Sequence, residues 1–185
     1  MERLRTSPAS RPLLVIFLVA TAAALLLMAR LRVYDAQMLA LGHGIVAFEL
    51  TYGAQTAADI LAAWGPDGQA AAQSSTRLDF AFIPAYALAF AGLTLLLARR
   101  QREGWQTLGL WLTGAPLLAG ALDVVENLFL LGMLNRPADF PALYALMASV
   151  AATAKFGLLV VCLVYWLALA LRSVAGRLRP LQPQR

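Results

Sequence analysis

The sequence predicts an all-α integral membrane protein. The expected architecture is a four-helix bundle with both termini cytoplasmic and short amphipathic helices in the outer loop between the first two spans. Three observations predict it. Of 185 residues, 61% are hydrophobic and only 14% charged, where a soluble domain carries about 25% charged residues. Four apolar runs are each long enough to cross a hydrocarbon core ~30 Å thick. The arginines are distributed asymmetrically about those runs, as the positive-inside rule requires.

Segment one spans residues 13–29, seventeen residues without a charge. A cleaved signal peptide is the alternative, because Arg3, Arg5 and Arg11 precede it. The run is long for such a peptide and ends in Met28-Ala29-Arg30-Leu31-Arg32 rather than a small-x-small site, so a retained helix is expected. Residues 30–77 then form the longest loop. Within it, 57–64 has helix formers at helical spacing, with Thr56 as N-cap and Gly65-Pro66 as terminator. A second short helix is expected from Asp67 toward the next span. The first of these lies either in the membrane interface or in solvent.

Segment two spans 78–98, begins with Asp79, contains Pro84 and Tyr86, and closes on Arg99-Arg100. Pro84 is expected to kink it. Segment three spans 105–134. Its 30 residues exceed the ~20 needed to cross, so it tilts or projects, with Pro116 and Gly120 as bend points. Segment four spans 143–171 and carries Lys155 in its interior. Short links between segments two and three, and three and four, favour antiparallel neighbours. The chain reads as one membrane domain.

Charge placement sets the orientation. Arg3, Arg5, Arg11, Arg99, Arg100, Arg102, Arg172, Arg177, Arg179 and Arg185 fall on one side, with only Glu2 and Glu103 as acids there. The other side mixes Arg30, Arg32, Arg77 and Arg136 with Asp35, Glu49, Asp59, Asp67 and Asp139. The net charge of +5 is thus a topology signal with attraction to anionic headgroups, and no nucleic-acid partner is expected. Cys162 is the only cysteine, so no intramolecular disulfide exists. His43 is the only histidine and reads as a loop residue. No metal site or cofactor is expected, and no Gly-rich phosphate loop, nucleophile elbow or CDP-alcohol-type acidic signature is present.

The polar residues inside the apolar runs carry the functional reading. Asp123, Glu126 and Asn127 follow an i, i+3, i+4 spacing and share a helix face. Carboxylates cost a few kcal/mol in hydrocarbon and normally turn toward other helices or a water-filled cavity. Asp123 lies about 16 Å from the outer end of segment three, and Lys155 about 18 Å into segment four, at ~1.5 Å per residue. Tyr86 lies seven residues from Asp79 on one face, and Tyr144, Ala148, Ala151 and Lys155 share another. So Asp79, Tyr86, Asp123, Glu126, Asn127, Tyr144 and Lys155 converge in the outer half of one bundle. Two readings remain open: an ion pair fixing helix register, or a site in which Asp123, Glu126 and Lys155 act catalytically while Asp79, Tyr86, Asn127 and Tyr144 bind substrate. Three acids facing one lysine favour the second, since pure scaffolding balances its charges. Ser149 and Thr153 read as a close helix contact.

Several segments together resemble a family of short bacterial four-helix inner-membrane proteins. They are Phe48-Glu49-Leu50-Thr51-Tyr52-Gly53, Leu78-Asp79-Phe80-Ala81-Phe82-Ile83-Pro84-Ala85-Tyr86, Asp123-Val124-Val125-Glu126-Asn127 and the stretch from Ala148 to Lys155. The likeness covers most of residues 45–160. It implies the topology and a bacterial cytoplasmic-membrane location, picks out Asp79, Tyr86, Asp123, Glu126, Asn127 and Lys155, and implies no activity.

Three functions fit these residues. The first is binding or processing of a lipid-like or hydrophobic small molecule, with membrane lipids as partners. The second is an accessory or assembly subunit of a membrane complex, or a homo-oligomer whose polar cluster meets partner helices. The third is proton- or cation-coupled transport, against which the apolar run Phe156-Gly157-Leu158-Leu159-Val160-Val161 below Lys155 argues.

Overall fold

The helices run well beyond the apolar stretches that announce them. A computed structural model describes residues 2–178 and is helical throughout, with no strand among those residues. The elements are α1 (Glu2–Thr6), α2 (Ser10–Leu39), α3 (Ile45–Glu49), α4 (Ala54–Ala98), α5 (Glu103–Leu112), α6 (Ala115–Leu134) and α7 (Ala142–Leu178). Four stretches are long and apolar enough to cross a membrane: α2, α4, α5 with α6, and α7. Arg179 and Arg185, counted in the charge asymmetry, lie outside the described residues.

The expected loop over residues 30–77 is the largest departure. Arg30, Arg32 and Asp35 end the apolar run, yet they do not break a helix, and α2 continues to Leu39. The loop proper shrinks to residues 40–44 and 50–53, flanking the one-turn-and-a-half α3. Helix α4 starts at Ala54 behind Gly53, so Thr56 lies inside the first turn instead of capping it. The only non-helical backbone within α4 is Gly65, at φ 57° and ψ −167°. That conformation suits a residue without Cβ, and Pro66 supplies no N–H to the turn before it. The two expected short helices are therefore an N-terminal arm and an extension of the second span. Pro84 sits in helical backbone, not at a break.

The third span divides where proline requires it. Residues 113–114 separate α5 from α6, and Pro116 stands at the start of α6. Its missing N–H leaves the Leu112 carbonyl without an i+4 donor, and the Cys162 thiol reaches that oxygen at 3.9 Å. Gly120 lies inside α6 with its helix unbroken.

Packing follows the chain: α2 lies along α4, α4 along α6, and α6 along α7, while α5 rests on α4. An alanine-rich stripe of α7, including Ala145, Ala148 and Ala152, is fully buried and lets α7 approach α6 closely. Three apolar clusters stack along the bundle. At the end holding α3, Phe48, Leu61, Trp64, Leu130 and Met133 pack together. At the end holding the N-terminus, Leu13, Leu95, Ala98 and Leu110 do so, and the Arg99 guanidinium donates to the carbonyls of Leu4, Ser7 and Pro8. Between them lie Ile83, Tyr86 and Ala87. Helices α2 and α7 are not among the main packing pairs, and both contribute to the lining of the candidate site.

Candidate functional site: a lysine ringed by carboxylates

The α6 face is decided by helical phase. Asp123, Glu126 and Asn127 are 4%, 0% and 3% exposed, whereas Val125 and Leu128 are 43% and 59% exposed. A 3.6-residue period turns the polar triplet inward and the valine and leucine toward the outer surface of the bundle. Lys155 projects from the alanine stripe of α7 and is 6% exposed.

The Lys155 ammonium is the hub. Its Nζ donates to Asp123 Oδ1 at 2.7 Å. It stands 2.7 Å from Glu126 Oε2 and 3.8 Å from Glu49 Oε2. The contact to Glu126 has ion-pair distance without directed hydrogen-bond geometry, since both Glu126 oxygens and Glu49 Oε2 lack a hydrogen-bond partner. Tyr86 Oη donates to the other Asp123 oxygen at 2.8 Å. Asn127 Nδ2 donates to Asp79 Oδ2 at 2.7 Å, tying α6 to α4. One ammonium is thus surrounded by three carboxylates from two elements, Glu49 of α3 and Asp123 and Glu126 of α6, and a fourth, Asp79 of α4, lies beyond Asn127. Isolated, each of these charges would be expensive in a low-dielectric interior; grouped around a cation, they offset one another.

Glu49 is the residue that sequence reasoning did not place in the site. It ends α3, and its carboxyl enters the bundle from the loop end. Two devices hold it there. Ser149 Oγ donates to the Glu49 carbonyl at 2.7 Å and accepts from the Tyr52 N–H at 2.9 Å. The hydroxyls of Tyr52 and Thr153 also bond to each other. Ser149 and Thr153 therefore grip residues 49–52 instead of joining two long helices. On the other flank, Asp35 Oδ1 accepts from the Ile45 N–H at 2.8 Å, which anchors the start of α3 to α2. Burial pushes the Glu49 carboxyl above the usual carboxylate range; Lys155 opposes the rise, and Asp123 and Asp35 add to it. The available signal was Phe48-Glu49, an acid beside an aromatic in an otherwise small and apolar segment.

A cavity of about 440 Å³ opens against this cluster, within the size range of small-molecule sites. Asp79, Tyr86, Asp123, Asn127 and Lys155 line it, together with Glu49, Ser75 and Thr76. Met28 and Leu31 of α2 face it from one side, and Phe156 and Leu159 of α7 from the other. Glu126 does not line the cavity; it is fully buried behind Lys155. Tyr144 is not brought to it either. Its ring packs on Phe129 at 5.5 Å and against Gly132, where a Cβ would stand 2.6 Å from the ring. The exposed His43 contributes its carbonyl, which accepts from Trp64 Nε1 at 2.7 Å. Among the described residues no group of three or more His, Cys, Asp or Glu has an arrangement that could hold a metal ion. The lysine occupies the centre that a cation would take.

No protein-family model, curated protein or solved structure matches this chain. The functional reading rests on the site itself.

Proposed function

We propose that the protein is a multi-pass membrane protein, N-in and C-in, that binds a lipid-like amphiphile in the outer half of its bundle. The observation that carries this reading is the cavity's two-sided lining. Its floor is polar, with Asp79, Asp123, Asn127 and Lys155; its flanks are apolar, with Met28, Leu31, Phe156 and Leu159. A site of that kind suits a ligand with a polar head and a hydrocarbon chain. The cavity is flanked by helices α2 and α7, which also carry outward-facing apolar residues such as Leu26 and Val160, 72% and 55% exposed. A ligand dissolved in the bilayer reaches it without crossing water.

Asp123 supports binding over conversion. Both its oxygens are taken, one by Lys155 and one by Tyr86. A carboxylate held this way is stabilised in its charged form and suits positioning better than proton transfer. The opposite half of the bundle supports binding over transport. Below Tyr86, the Phe90 and Trp166 rings meet edge to face at 5.1 Å, and Trp166 Nε1 donates to Thr94 Oγ1 at 3.1 Å. The Leu13, Leu95 and Leu110 layer follows. A relay would need titratable groups or water along that route.

The test uses protein extracted in mild detergent and weighed intact by native mass spectrometry. The wild-type protein is expected to carry a one-to-one lipid-sized adduct. Leu159→Trp, which fills the cavity, is expected to lose it, while Val160→Trp on the lipid-facing side of the same helix keeps it. An adduct equally occupied in both variants would show that the cavity is not where lipid binds.

A further inference from the structure

The donors and acceptors around the cavity do not balance. Lys155 directs its ammonium at Asp123 and Glu126. Tyr86 spends its hydroxyl proton on Asp123, Asn127 gives Nδ2 to Asp79, and Thr76 bonds back to the Ala72 carbonyl. These side-chain donors are already committed. Glu49 lines the cavity, and its Oε2 has no hydrogen-bond donor, with Lys155 Nζ 3.8 Å away; a buried acceptor left unmet is costly. That oxygen calls for a hydrogen-bond donor from outside the chain.

Charge and aromatic surface point the same way. Four carboxylates line the cavity, those of Asp35, Glu49, Asp79 and Asp123, against Arg32 and Lys155. Arg32 is exposed at the rim. The wall also carries Phe82, Tyr86 and Phe90 in a row, with ring centroids 5.2 Å and 6.0 Å apart. Lys155 already sits 4.9 Å from the Phe156 centroid. Aromatic faces beside carboxylates are the usual setting for an organic cation. An anionic head would meet carboxylates that cannot retreat.

We propose that the amphiphile is a single-chain primary amine, bound as its ammonium. This rests on the reading of the cavity as an amphiphile site and adds the chemistry of the head. The ammonium sits against Glu49 and Asp79, the lining carboxylates that Lys155 does not hold at short range. It brings the donor that Glu49 Oε2 lacks and one positive charge. The chain leaves between Leu31 and Leu159 toward the bilayer.

The experiment titrates the protein in phosphatidylcholine nanodiscs with dodecylamine, dodecanol and dodecyl phosphate, subtracting uptake by empty discs. Dodecylamine is expected to bind saturably, one per protein, and at least about tenfold tighter than the other two. Glu49→Gln keeps the shape of the side chain and removes its charge, and it is expected to erase most of that preference. Asp79→Asn is read in the same way, so the conclusion does not hang on one variant folding. Dodecanol or dodecyl phosphate binding as tightly as the amine overturns the assignment of the head while leaving an amphiphile site in place. A tight phosphate would point to Arg32 instead. Saturable binding by none of the three overturns both this inference and the reading beneath it.

Discussion

Replacing Lys155 by methionine is expected to destabilise the folded protein by about 3–5 kcal/mol, the cost of stranding buried charges by removing their partner. Methionine matches the length and flexibility of the lysine stem, so packing changes little. What disappears is the cation within 2.7 Å of both Asp123 and Glu126 and 3.8 Å from Glu49. The same substitution in a background of Asp123→Asn and Glu126→Gln should cost less, because of the three carboxyls around the lysine only the more distant Glu49 is then left without its cation. Unfolding by SDS titration, followed by circular dichroism in detergent, measures both. If the single variant unfolds at the wild-type midpoint, the ammonium does not hold the carboxylates in place and the description of the site is wrong. The triple variant also separates two roles of the cluster: recovery of stability without recovery of lipid binding would show that the charges serve the ligand more than the fold.

Trp64→Ala is expected to be of similar size, about 3–5 kcal/mol for a fully packed aromatic, by a different route. Trp64 is 2% exposed, its ring meets Phe48 at 5.1 Å, and its Nε1 donates to the His43 carbonyl. It therefore seats both the loop before α3 and α3 itself, which delivers Glu49 to Lys155. Removing it should loosen residues 43–52 before the long helices respond, visible as faster amide exchange in that segment alone. Trp64→Phe keeps most of the packing and loses the hydrogen bond, so its cost should fall to about 1 kcal/mol. Uniform exchange across α3 and α6 in the alanine variant would mean that α3 is not a separately held element.

The residues of the site differ in how far the sequence alone could place them. The phase of Asp123, Glu126 and Asn127 was legible because i, i+3, i+4 spacing on a long apolar helix leaves one polar stripe, and that stripe is the buried one. Lys155 was legible as a lone charge amid alanines. Glu49 was not. Its position depends on a chain reversal over residues 40–53 and on Ser149, one hundred residues away, and a five-residue helix is too short to show a period. Tyr144 shares a nominal face with Lys155, but the eleven-residue offset leaves an angular drift of about 20°, and its ring rests on Phe129 and Gly132. The helices outrun the apolar segments for a plain reason: hydropathy locates the part of a helix that suits lipid, and helical hydrogen bonding continues through Arg30, Arg32 and Asp35 regardless.

The orientation of the bundle rests on arginine placement, and the ligand on the lining of one cavity. The cavity is the point on which the account turns. An experimental map of the protein taken from its native membrane, without added lipid and sharp enough to show ordered water, tests it most directly. Elongated density is expected, with its head beside Glu49 and Asp79 and its tail between Leu31 and Leu159. Side chains closing that space, or isolated waters filling it with no connected density, would contradict it.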